Sequence, residues 1–144
     1  MLKKVMLALA GAMISAGALA ANTPDDFFVE KIRFIQYHAP KPPDYQNGVQ
    51  QLIQSVNQSD GPLMGALGRA FMRMKDYRNA QGVLLSTIRI NPSNADAQAD
   101  LAFVSATLYD CTTARGAYER AVALNPTAVE LRHVQMARTL CPGM

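Results

Sequence analysis

Apolar residues recur along this chain at helical spacing, and no stretch alternates apolar and polar positions as a half-buried strand would. From Asp25 to His38 they are Phe27, Phe28, Ile32, Phe34, Ile35 and Tyr37. From Pro62 to Lys75, behind Asp60 as a cap, they are Leu63, Met64, Leu67, Ala70, Phe71 and Met74. Ala95 to Tyr109, behind Asn94, carries Leu101, Ala102, Val104, Ala106 and Leu108. Thr127 to Leu140 carries Val129, Leu131, Val134, Met136 and Leu140, and Cys141-Pro142-Gly143 ends it.

Between these segments lie helices that open on aspartate. Asp76-Tyr77-Arg78-Asn79-Ala80 leads to Leu84, Thr87 and Pro92, and Asp110-Cys111-Thr112-Thr113-Ala114 leads to Tyr118, Ala121 and Pro126. Every position of the second set follows its counterpart in the first at one constant offset, that from Asp76 to Asp110. An earlier copy, Asp44-Tyr45-Gln46-Asn47-Gly48 with Leu52, Ser55 and Asp60, precedes the first at a slightly shorter offset, that from Asp44 to Asp76. Aspartate is a good N-cap because its carboxylate accepts from free backbone N–H groups. Gly48, Ala80 and Ala114 are small enough for a neighbouring helix to approach, and Leu52, Leu84 and Tyr118 extend the same stripe. Asn-Pro then stops the helix in the two later copies, since proline removes a donor and restricts the residue before it. The pattern predicts an all-α fold of about seven helices in pairs.

The first twenty residues change the charge and the compartment. Lys3 and Lys4 precede an uncharged apolar run, Val5 to Gly17, and Ala18-Leu19-Ala20 offers the small residues of a cleavage site. Residues 1–20 are thus expected to be a secretory signal peptide, cut before Ala21. The run falls short of the ~20 residues a spanning helix needs, and no cysteine follows it to direct lipid attachment. A soluble mature chain without membrane insertion is expected. Loss of Lys3 and Lys4 leaves 12 basic and 11 acidic residues, so the formal +3 falls to +1 and supports no nucleic-acid partner.

The helix–turn–helix unit, with its period of about 34 residues, resembles the tetratricopeptide repeat. With Gly61 as its first position, Met64, Leu67, Gly68, Phe71, Ala80, Leu84, Thr87 and Pro92 fall on the eight characteristic places of that family. In the next unit, from Ala95, Leu101, Ala102, Ala114, Tyr118, Ala121 and Pro126 match. Gln98 and Ser105 stand there where a bulky residue is usual. The resemblance implies a right-handed helical-hairpin solenoid of about three and a half tetratricopeptide-type repeats. Residues 21–60 are then a degenerate first repeat, whose Ala39-Pro40-Lys41-Pro42-Pro43 expands the turn between its helices. Residues 61–144 are two repeats plus a C-terminal capping helix.

Solenoids of this family hold an extended or helical segment of a partner on a concave surface lined by the first helix of each pair. By family position that surface carries Arg69, Met72, Arg73, Phe103, Thr107, Glu130, His133 and Ala137. Arg69 and Arg73 are either an electropositive patch for an acidic segment or a solvated helix face. Phe103 is either an exposed anchor or a side chain turned inward to compensate for Ser105. The proline-rich loop is a further place where binding could reside. The two-carboxylate clamp of chaperone-binding members is not expected, because Gly65 and Arg69 occupy its lysine and asparagine positions.

No catalytic constellation and no cofactor motif is present. Two cysteines are too few for a structural zinc, and His38 and His133 have no ligand spacing to them. In an exported chain an even cysteine count favours a disulfide. In a stacked array the end of the last helix lies beside the preceding turn, so Cys111 and Cys141 are expected to pair. Two free thiols or an intermolecular bond are the alternatives. The expected function is that of a periplasmic interaction module, a scaffold or assembly factor for an envelope machine such as a pilus, secretion system or cell-wall complex. The alternative is a secreted accessory subunit or effector, and the oligomeric state stays open.

Overall fold

The computed structural model describes residues 23–127 and 132–144; the expected signal peptide, residues 1–20, and Glu130 lie outside the described residues. Among the described residues the chain is all-helical, with seven α-helices and no strand. They are α1 (Pro24–His38), α2 (Pro42–Ser55), α3 (Gly61–Arg73), α4 (Tyr77–Ile90), α5 (Ala95–Thr107), α6 (Cys111–Leu124) and α7 (Arg132–Leu140). No helix among them is long and apolar enough to cross a membrane.

The caps explain the boundaries. Asp60, Asp76, Asn94 and Asp110 each accept the backbone N–H three residues on, which satisfies one free donor of α3, α4, α5 and α6. Thr23 and Asp26 form a capping box at the start of α1. Aspartate at position 44 behaves differently from the expectation. It lies in the first turn of α2, whose N-cap is Lys41 without a side-chain cap bond. The cause is Pro42-Pro43. Their missing N–H groups cost nothing in a first turn, so they start the helix, and the loop shrinks to residues 39–41.

α3 and α4, and likewise α5 and α6, are joined by a turn of the same construction. Lys75 and Tyr109 adopt left-handed φ of 58° and 60°. Their N–H groups donate to Met72 O and Ala106 O, while the next residues, Asp76 and Asp110, donate to Phe71 O and Ser105 O. Each aspartate therefore closes one helix with its N–H and opens the next with its carboxylate.

Packing follows the stripes. α1 lies on α3, α3 on α4, and α5 is enclosed by α4, α6 and α7. The core holds Ile32, Met64, Leu67, Phe71, Leu84 and Leu101, all essentially inaccessible. Gly68 lets α3 meet α4, since a Cβ there would stand 2.9 Å from Leu84 Cδ2. α5 is buried on nearly every side, including Gln98, Asp100 and Ser105. Gln98 donates to Pro92 O at 3.2 Å, but its buried Oε1 has no partner. Ser105 accepts from Gln81 Nε2 at 3.1 Å, a polar contact inside the helix packing.

Cys111 at the first turn of α6 and Cys141 just beyond α7 form a disulfide, with Sγ–Sγ 2.03 Å and Cα–Cα 5.4 Å. The expected pairing is present, and Cys141 is fully buried beside Ala106, Ala114 and Ala137.

Candidate functional site

The residues expected to line a binding surface sit on α3, α5 and α7. Arg69 and Arg73 are one turn apart on α3, and the first turn of α1 meets both. Asp25 accepts Arg69 Nε at 2.8 Å and Nη2 at 3.0 Å, a two-pronged pair. Asp26 accepts Arg73 Nη1 at 2.8 Å. Arg69 keeps 42% of its side chain exposed and Arg73 51%. The pairs therefore lie at the surface, and the patch is largely neutralised by the chain's own aspartates. Arg73 and Thr23, by hydrogen bonding, hold the Asp26 carboxyl below its ordinary value.

A third carboxylate belongs to this seam. Asp100 on α5 is only 7% exposed. Burial pushes its pKa up to about 7, against the pull of Arg69, and Asp96 and Asp25 raise it further. One guanidinium on α3 thus faces carboxylates contributed by α1 and α5. The Asp25 hydrogen bonds strengthen the charged form of Arg69 in return.

The remaining expected residues divide. Met72 is half-buried against the core. Phe103 is also half-buried, its ring meeting Tyr77 edge-on with centroids 6.0 Å apart. Of its two readings the geometry lies nearer the inward one, because it packs on the main core and on the small cluster around Cys141. Thr107 is half-buried and donates Oγ1 to Phe103 O at 2.9 Å. Ala137 is buried. His133 lies in α7, but its side chain, like Glu130 as a whole, is outside the described residues. His38 lies apart from these residues, its ring stacked on Phe34 at 3.9 Å.

Sequence reasoning missed Asp25 and Asp100. Asp100 had a signal, a lone acid inside an apolar run. Asp25 had none, because an acid in a first turn reads as complementing the helix dipole, and its partner is 44 residues away. Among the described residues no group of three or more histidine, cysteine, aspartate or glutamate side chains could hold a metal ion. No protein-family model matches the chain, and no curated protein matches it.

Proposed function

We propose that this chain is an exported, non-catalytic interaction module of tetratricopeptide type, a right-handed solenoid of about three and a half repeats that holds an envelope protein. The support for the repeat is its backbone recurrence. α5 and α6 reproduce the bounds of α3 and α4 at one fixed offset, Gly61 to Ala95, Arg73 to Thr107, Tyr77 to Cys111 and Ile90 to Leu124. The caps and the left-handed Lys75 and Tyr109 keep the same offset. The support for export is the leader-like sequence of residues 1–20 together with a disulfide, which persists in oxidising compartments.

One observation carries the binding role: the seam of Arg69 and Arg73 stays about half exposed while paired. An arginine offers five N–H donors. Arg73 commits one to Asp26 and Arg69 two to Asp25. An acidic partner segment can share these guanidiniums or displace Asp26 from the exposed Arg73 pair, which costs little because exposed pairs contribute only about 0–1 kcal/mol, while the part-buried, two-pronged Arg69–Asp25 pair is held more firmly. The test is capture of a partner from an envelope fraction by the mature protein and by Arg69→Ala/Arg73→Ala. Loss of capture at unchanged helicity supports the reading, and unaltered capture sinks it. For export, N-terminal sequencing of periplasmic material should begin at Ala21; a membrane-bound species retaining Met1 would refute cleavage.

A further inference from the structure

α4 and α6 both pack on α5 and make little contact with each other. Between them lies a recess of about 410 Å³, walled by Leu85, Ile88 and Pro92 and carrying Arg89 from α4 and Arg120 from α6. Leu85 is 36% exposed, and both arginines are exposed. A smaller cavity of about 230 Å³ adjoins it through Arg89. No acidic residue lines either one. Among the described residues the ion pairs are Arg33–Glu30, Arg69–Asp25 and Arg73–Asp26. Arg89 and Arg120 therefore carry uncompensated charge, whereas the two arginines of α3 are matched by the chain's own aspartates. α4 contains no acidic residue at all. Arg89 lies in its last turn and complements the helix dipole there, but Arg120, short of the last turn of α6, has no such task.

We propose that this recess between α4 and α6 is a docking site, separate from the Arg69–Arg73 seam, for a short partner segment that carries carboxylates beside an apolar side chain. The chemistry of the walls selects that occupant. The two guanidiniums can each fork onto a carboxylate, and nothing in the chain competes for them. An apolar side chain laid on Leu85, Ile88 and Pro92 takes their exposed surface out of water. Arginine set against apolar surface is a combination in which binding energy concentrates. The whole chain has a formal charge of only +3, too weak a field to gather a polyanion or an anionic membrane. A few carboxylates on one segment are the load that two arginines can match. The site shares no residue with the seam and stands without it.

Titration of the isotope-labelled mature protein with a short acetylated peptide of glutamate and leucine, followed by amide NMR, tests this. Shifts are expected at Leu85, Ile88, Arg89 and Arg120, and a lysine–leucine peptide of the same length should cause none there. Arg89→Glu/Arg120→Glu should weaken the acidic peptide by roughly tenfold or more and admit the basic one. Both side chains are exposed, so helicity should persist. Leu85→Ser keeps both charges and should weaken the acidic peptide several-fold, while Arg69→Ala/Arg73→Ala should leave its binding unchanged. Absence of shifts at millimolar peptide overturns the proposal. Shifts confined to α1 and α3 overturn it as well, by assigning the peptide to the seam. Anionic phospholipid vesicles that bind the wild type but not the charge-reversed variant would overturn it in favour of a membrane surface.

Discussion

Gln98 is fully buried, with Oε1 unpartnered. An orphaned buried acceptor costs about 1–3 kcal/mol, more than the net gain from the one bond to Pro92. Gln98→Met keeps the unbranched shape and should raise stability by about 1 kcal/mol, read from the urea midpoint at unchanged slope. Gly82 and Gly116 offer a second case. They hold equivalent places in α4 and α6, with nothing within 4 Å of an added Cβ. Gly→Ala at either should stabilise by about 0.5–1 kcal/mol, and the two gains should add in a thermal melt of the double variant. Gly68→Ala should do the reverse, because its Cβ would press into Leu84. These sites were legible in different degrees. Gly68 was singled out by the resemblance noted in the sequence, and Gln98 stood out as a departure from it. No pattern in the sequence could show that Oε1 ends without a donor, because that depends on the path of the chain at Pro92.

At the scale of helices, Asp100 on α5 is attracted by Arg69 of α3 and repelled by Asp25 of α1. Its ordinary value is 3.8 and in the fold it lies at about 7. Between those values the folded state holds the proton more tightly than the unfolded state. Its contribution is therefore most favourable below pH 4 and is lost as pH rises through 7, by up to about 4 kcal/mol. Asp26 and Asp110 act in the opposite direction. Their folded pKa values are lowered, by the hydrogen bonds of Arg73 to Asp26 and of Thr113 to Asp110, so their contribution is lost as pH falls below the ordinary value. Stability should peak in mildly acid solution. Asp100→Asn should flatten the slope between pH 4 and 7 and raise stability at pH 8, measured by urea unfolding across that range. A variant that retains the full slope would assign it elsewhere. Helix type and pairing were readable from periodicity and caps. The start of α2 was not, because proline marks loops and first turns alike.

For the whole molecule, the constant offset between equivalent positions makes the central hairpins readable from the sequence. The disulfide followed from placing two cysteines on that frame. The seam did not, since Asp25, Arg69 and Asp100 share no local signature and meet only when three helices are packed. The bridge closes a loop with a sequence separation of 30. In the chain-entropy account it adds about 3–4 kcal/mol. Reduction should lower the denaturant midpoint correspondingly. Amide exchange should rise first in α7, whose buried anchors among the described residues are few: Val134, Ala137 and the cystine itself.

The two tight turns also set where this chain tolerates a change of length. Asp76 donates its N–H to Phe71 O, caps Asn79 with its carboxylate and receives the Tyr45 hydroxyl at 2.6 Å. One extra residue between Lys75 and Asp76 would pull the first task away from the others and break the closing bonds of α3 or the cap of α4. The segment after α4 divides the duty: Asn91 closes α4 on Thr87 O and Asn94 caps α5, with a single turn bond, Asn94 N–H to Asn91 O at 3.2 Å, between them. A single glycine inserted after Lys75 should cost on the order of 2 kcal/mol, and one inserted after Ser93, where only the Asn94–Asn91 turn bond is at stake, about 1 kcal/mol or less, a contrast that paired thermal melts would resolve. Insertions that accumulate in such a protein are therefore expected between its hairpins, while the hairpins keep their length residue for residue.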